Sequence, residues 1–273
     1  MQELTLKEIQ EYSLRILLNV HAFCCKHGIQ YSMAYGTLIG AVRHKGFIPW
    51  DDDIDIIMTR ENFERFIHEY QSDDNFMLVS PDDKNSFIAF ARVCDMKNST
   101  IVTRSPWCNY ETGVWIDIFP LDSISDNETE HRLRWKRLSR LWLRTVIARG
   151  AKADAINKYH WKKPNYLIWL KKIAFLNGIF VRNLIERFIL KIKSSQYSSS
   201  THCAQLACCD EYGYYEKKDF VEYTTLEFEG HKLCAIKEYD KVLRLLYGDY
   251  MKLPPLDNQV PKQSDSVRFY HKK

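Results

Sequence analysis

The sequence predicts an α+β protein, a mixed sheet core flanked by helices with a basic helical insertion, and three observations predict it. Apolar residues at helical spacing alternate along the chain with short runs of β-branched and aromatic residues. The run Ile54 to Met58 favours a strand and leads directly into an amphipathic stretch, with Phe63, Phe66, Ile67 and Tyr70 on one face. Basic residues crowd into one stretch between 132 and 193. With 273 residues, 45% hydrophobic and 27% charged, the chain is long enough to bury a sizeable core.

The elements follow in order. Thr5 and Glu8 have the spacing of a capping box, and Leu6, Ile9, Leu14, Leu17, Leu18 and Phe23 form an apolar face up to Gly28, a helix stop. Ile29, Tyr31, Met33 and Tyr35 alternate as a short strand that ends at Gly36-Thr37, and a brief helix spans Leu38 to Arg43. After the strand at Ile54, Thr59 caps the second amphipathic helix. Strands at Phe76–Val79 and Phe87–Val93 flank the turn Ser80-Pro81-Asp82-Asp83, and Thr100–Thr103 reads as an edge strand before the break at Ser105-Pro106-Trp107. Gly113 to Phe119 is an apolar strand, with Asp122 beyond Pro120 as the cap of the next turn. Ser194 to Thr201 reads as a flexible linker, Thr224 to Gly230 as a strand and turn, and Ile236 to Tyr247 as a helix with Tyr239, Val242, Leu243 and Leu246 on one face. The expected division is a core over 1–125 that carries the metal site, a basic helical subdomain over 126–200 and a segment over 201–273 that packs back on the core.

The chemistry concentrates between Tyr35 and Met58. Asp51, Asp52, Asp53 and Asp55 fall within five positions, where like charges repel unless cations neutralise them. Solvated turns and calcium-stabilising loops also carry such clusters, but here glycines, a basic triplet and an apolar strand accompany them in order. On a strand, side chains two apart share a face, so Asp53 and Asp55 converge and Asp52 turns away. Aspartate oxygens without a nearby Cys or His cluster suit Mg²⁺ or Mn²⁺. Gly36, Thr37 and the following N–H groups open a helix and could hold a phosphate, with Arg43, His44 and Lys45 as nearby donors. Asp117 is a lone carboxylate in an apolar strand, so something must neutralise it: a shared metal ion, or an arginine. Arg92 either faces a nucleotide or pairs with a carboxylate.

Composition narrows the classes. The net charge of +4 is too mild to imply a polyanionic partner, and no nucleic-acid motif is present, so no nucleic acid is expected. Within 132–193, however, the only acids are Asp154 and Glu186, and Trp135, Trp142, Trp161, Trp169 and Phe188 are interleaved with the bases. That pattern suits peripheral contact with anionic lipid, or an ordinary helical subdomain with a basic face. Eight cysteines lack a C-x-x-C pair or zinc-type spacing, the N-terminal residues lack an apolar signal region, and no apolar run approaches the roughly 20 residues of a membrane span. The expected location is the cytoplasm, with the inner face of the membrane as a place of association.

Strand, G-T, short helix and D-x-D on the next strand resemble the nucleotidyltransferase superfamily core. The longer string G-T-L-I-G-A-V-R-H-K-G-F-I-P-W-D-D-D-I-D-I resembles the LicD family, as do V-W-I-D-I-F-P-L-D around Asp117 and L-Y-G-D-Y-M-K-L-P-P from Leu246 to Pro255. The resemblance implies a phosphotransferase that moves a phosphoryl-linked headgroup from a CDP-linked donor to a glycan and releases CMP. The best-known members move phosphocholine; ribitol phosphate and glycerol phosphate are alternative cargo, lipopolysaccharide, teichoic acid and capsule are the acceptors to expect, and a true nucleotidyltransferase or a non-catalytic membrane- or metal-binding module are the rival classes. It further implies Asp53, Asp55 and Asp117 as metal ligands, Asp52 in support or as base, and Gly36, Thr37, Arg43 and Lys45 on the donor phosphate. A choline headgroup would need aromatic faces, for which Tyr35, Trp50, Trp107 and Trp115 are near in sequence. The tail after Leu256 departs from the family pattern and offers Arg268 and His271 as loose counterparts.

Overall fold

A computed structural model describes residues 1–101, 111–148, 178–193, 197–209, 212–260 and 267–272. Trp107, Trp161, Trp169, the basic residues between 149 and 177, and parts of the expected edge strand and linker lie outside the described residues. Helix α1 (Leu6–His27) starts at the expected capping box: the Thr5 hydroxyl accepts from the Glu8 N–H and the Glu8 carboxylate accepts from the Thr5 N–H. It stops at Gly28, whose φ of 63° is the left-handed conformation that glycine tolerates. Its buried face is Ile16, Leu17, Val20 and Cys24.

The central sheet runs β1 (Ser32–Met33), β2 (Asp55–Thr59), β6 (Trp115–Ile124), β4 (Ala91–Asp95), β3 (Phe76–Val79), and β7 (His202–Gln205) and β8 (Tyr215–Glu216) extend it from β6. The pairing of β2 with β6 is parallel and the others are antiparallel, so the sheet is mixed and the fold α+β. Short α2 (Tyr35–His44) follows β1, and α3 (Arg60–Glu69), capped by Thr59 as expected, buries Phe63, Phe66 and Ile67. Strand β5 (Ser99–Ile101) pairs with β11 (Phe269–His271). Strand β4 begins four residues later than expected; Phe87 to Phe90 owe their apolar character to burial in the core, not to pairing.

Strand β6 passes through Pro120, contrary to the expectation that Asp122 caps a turn beyond it. The Asp117 N–H donates to Ile54 on the β2 side, so by alternation the nitrogen of Pro120 faces the other edge. There β4 pairs only as far as Ile118 and β7 begins at Leu121, so the missing N–H falls in the gap between them. Asp122 is buried and forms a bidentate pair with Arg60 at 2.9 Å for each bond.

Helices α4 (Glu128–Ala148) and α5 (Gly178–Ile192) pack on one another, with the Trp142 and Phe188 rings 5.4 Å apart. Leu138, Trp142, Ile185 and Phe188 belong to the same buried core as the sheet. The linker expectation changes as well: Tyr197 donates to Glu130 at 2.7 Å, and Thr201 donates its N–H and hydroxyl to Asp126. In the C-terminal part, β9 (Tyr223–Phe228) and β10 (His231–Ile236) form a hairpin, and α6 (Tyr239–Tyr247) begins three residues later than expected because Ile236 ends a strand. The two turn residues, Glu229 and Gly230, have φ of 49° and 76°, the pattern of a type I′ turn. That tip clasps the end of α2: the Glu229 N–H donates to the Lys45 carbonyl at 2.8 Å, and the Glu229 carboxylate accepts from the Phe47 N–H at 2.9 Å.

Glycines decide how the chain returns from α2 to β2. A Cβ on Gly40 would lie 2.4 Å from the Gly46 carbonyl oxygen, and one on Gly36 would lie 2.5 Å from an Asp51 carboxylate oxygen. Residues 46–51 therefore double back along the bare Gly36–Gly40 face of the helix. Two substitutions test these statements by urea unfolding. Gly40→Ala pushes against backbone that cannot rotate away and is expected to destabilise the protein by about 1–3 kcal/mol, although alanine is the better helix former. Asp122→Ala removes the two-bonded partner of Arg60 and leaves it Glu64 alone, at an expected cost of about 1–3 kcal/mol, whereas breaking the exposed Arg244–Asp240 pair should cost less.

Candidate active site

Helix α2 begins at Tyr35, three residues before the expected start, so Gly36 and Thr37 lie within its first turn and do not end a strand. Its N-cap is Ala34, which has no side chain to cap the helix. The start of the helix is tied to β2 by two bonds: the Asp55 N–H donates to the Thr37 hydroxyl at 2.9 Å, and the Ala34 N–H donates to the Asp55 carbonyl at 3.0 Å. The pair thus fixes Asp55 beside the positive end of α2.

Arg43 and Lys45 are at the other end of that helix. At 1.5 Å per residue, Lys45 stands about 12 Å along the axis from Thr37. Arg43 donates to the Tyr250 carbonyl at 2.6 Å and to His44 at 2.9 Å, and Lys45 is the left-handed C-cap. The structure therefore brings Gly36 and Thr37 to the acidic cluster and does not bring Arg43 and Lys45 with them.

The carboxylates gather differently from the period-two expectation. Strand β2 starts only at Asp55, so the alternation that would turn Asp52 away does not apply ahead of it. Asp51, Asp52 and Asp53 each place a carboxylate oxygen within 4.8 Å of the others. Gln10 of α1 holds this loop by donating to the Asp51 carbonyl at 2.8 Å. Asp51, absent from the expected ligand set, is a full member of the group; its place in the run Asp51-Asp52-Asp53 is the sequence signal for it.

Asp55 and Asp117 are direct neighbours across β2 and β6, and Arg92 is the neighbour of Asp117 across β6 and β4. One row across three strands thus reads acid, acid, base. Arg92 pairs with Asp117 through both carboxylate oxygens, at 2.5 and 3.2 Å, which answers what Arg92 does, and its guanidinium stacks 4.3 Å from the Trp115 ring. Asp117 therefore has the arginine partner that was one of its two expected neutralisers while standing beside Asp55. Burial first, then the charges of Asp53, Asp117 and Asp51, hold the Asp55 carboxyl well above the usual carboxylate range, and Arg92 opposes them. Burial likewise raises Asp117, Arg92 draws it back down, and Asp53 adds a smaller upward push. An all-oxygen set this crowded has the chemistry of a hard divalent cation site.

The remaining candidates separate from this centre. Trp115 is buried between Arg92 and Phe269, Trp50 lies by His44, and Tyr35 opens α2 next to Ala34, whose N–H donates to the Asp55 carbonyl. Arg268 and His271 pair with Glu3 and Glu8 near the start of α1 and serve the β5–β11 region. Among the described residues no helix is long and apolar enough to cross a membrane.

The family described as LicD/FKTN/FKRP, nucleotidyltransferase domain, matches residues 28–143, which contain α2, the acidic loop and β6. The chain is 30% identical to the lipopolysaccharide cholinephosphotransferase LicD of Haemophilus influenzae over 96% of its own length and 97% of that protein. Shorter similarities join it to uncharacterised proteins of Rickettsia typhi, 37% identical over 21% of this chain and 19% of that protein, and of Rickettsia prowazekii, 44% identical over 18% of each. The match that runs from end to end and the family match over the acidic centre agree: the chain belongs to the LicD family.

Proposed function

We propose that this chain is a metal-dependent phosphotransferase that moves phosphocholine from CDP-choline to a sugar hydroxyl of a cell-surface glycan, with lipopolysaccharide as the first acceptor to test. The observation that carries the reading is the similarity to a lipopolysaccharide cholinephosphotransferase along almost the whole chain. The row of Asp55, Asp117 and Arg92 beside the start of α2 supports it.

The residues divide the work. Gly36 and Thr37 offer first-turn N–H groups to the donor phosphate, as the positive end of a helix does. Asp53, Asp55 and Asp117, with Asp51 beside them, would hold Mg²⁺ or Mn²⁺, which supplies neutralisation of the donor diphosphate and of charge that develops during transfer. Asp52 supports these ligands or takes the proton of the acceptor hydroxyl. The sugar oxygen forms a bond to the phosphorus that bears choline, the bond from that phosphorus to CMP breaks, and CMP leaves. Arg92 keeps the Asp117 carboxylate fixed through two hydrogen bonds. Any contact with an anionic membrane rests on exposed Arg137, Arg140 and Arg144 and not on Trp142 or Phe188, which are buried.

The test is CMP release from CDP-choline, CDP-ribitol and CDP-glycerol with Mg²⁺ or Mn²⁺ and a panel of glycan acceptors. The expected result is metal-dependent release with CDP-choline, reduced about a hundredfold or more in Asp53→Asn, Asp55→Asn and Asp117→Asn proteins that keep their circular dichroism. Preference for another donor would replace the headgroup, and full activity in any of the three variants would remove that residue from the site.

A further inference from the structure

Tyr35 stands in a conformation that aromatic residues seldom adopt. Its φ is 49°, in the left-handed region where a side chain with a Cβ is strained and glycine or asparagine is the usual occupant. The strain places a ring where the transfer chemistry proposed above does not require one. That ring meets Phe119 edge to face, with centroids 5.9 Å apart, and Phe119 in turn lies 4.7 Å from Phe90.

Register relates these rings to the acidic centre. Asp55 pairs with Asp117, and two residues further on Ile57 pairs with Phe119 on the same sheet face. One such step is about 6–7 Å, the scale of the two-carbon bridge between the phosphate and the ammonium of phosphocholine. Tyr215 of β8, which lines one hollow with Tyr35, and Tyr247 at the end of α6 stand near it, and burial first, then Tyr215, Cys208, Tyr247 and Asp55, hold the Tyr35 phenol well above its ordinary range. Behind Tyr35 and Tyr215 a partly open apolar hollow extends to Leu38, Phe220 and Leu246.

We propose that Tyr35, with Tyr215 and Tyr247, forms the site for a quaternary ammonium headgroup and that Tyr35 is the residue by which the protein selects a choline-bearing donor over an uncharged one. The inference rests on the phosphocholine reading above and adds to it the residues that choose the headgroup. A trimethylammonium has no N–H to donate, so aromatic faces and a nearby carboxylate are the groups that recognise it. The Trp115 face is already taken by the Arg92 guanidinium, 4.3 Å from its ring.

The experiment measures kcat/KM and calorimetric binding for CDP-choline and CDP-glycerol in the wild-type protein and in Tyr35→Phe, Tyr35→Leu and Tyr247→Leu. Tyr35→Leu is expected to lose about tenfold for CDP-choline with less than about threefold change for CDP-glycerol, while Tyr35→Phe, which keeps the ring, retains the preference. Tyr247 is 38% exposed, so Tyr247→Leu is expected to fold and to shift the ratio in the same direction. A wild-type protein that binds CDP-glycerol as well as CDP-choline would overturn the phosphocholine reading and this inference with it. A wild-type preference for CDP-choline that survives unchanged in both leucine variants, or variants that weaken both donors equally, would overturn the inference alone.

Discussion

Like-charged carboxylates within a few ångströms of one another repel by about 4 kcal/mol per pair at an effective dielectric constant near 20, and this protein gathers Asp51, Asp52, Asp53, Asp55 and Asp117 at one end of its sheet. Arg92 offsets part of that repulsion by pairing with both oxygens of Asp117. The surrounding structure is arranged to hold the group together regardless. Two bonds fasten Asp55 to the start of α2, bare glycine positions let residues 46–51 return along that helix, and Gln10 anchors the loop from α1. A divalent cation would relieve that repulsion, which is what suits the cluster to the metal-dependent reaction proposed above.

The C-terminal part of the chain serves the same centre from a distance. The tip of the β9–β10 hairpin holds the end of α2 through Glu229, and the Tyr250 carbonyl accepts from Arg43 while its hydroxyl donates to Asp240. The L-Y-G-D-Y-M string is thus a tie between α6 and α2, with Gly248 in a positive-φ turn between them. Arg43, which reads in sequence as a phosphate donor, is part of that tie. Both roles call for a guanidinium, and only the helix length and the partner carbonyl distinguish them.

What was legible in the sequence follows from how local each signal is. Thr5 with Glu8, Gly28 and Thr59 announce their caps within a few residues, and all act as expected. The fold class and the family were legible too, from the order of strand, glycine, helix and acidic run. The period-two rule failed at Asp52 because the strand starts after it, and strand onset depends on pairing with β6. Pro120 and Asp122 were misread for the same reason: the gap between β4 and β7 that tolerates a proline exists only in the assembled sheet. On α4 and α5 the interleaved Trp and Phe have the same spacing whether they face lipid or core, and the core took Trp142 and Phe188.

The most direct test of the account is whether the acidic cluster binds a divalent cation in the absence of any donor. Titration of the purified protein with Mn²⁺, followed by electron paramagnetic resonance, reads this without reference to activity. The account predicts a saturable site in the wild-type protein that Asp55→Asn and Asp53→Asn weaken by about tenfold or more while Asp122→Asn leaves it unchanged. Equal Mn²⁺ binding by the wild-type, Asp53→Asn and Asp55→Asn proteins would contradict it.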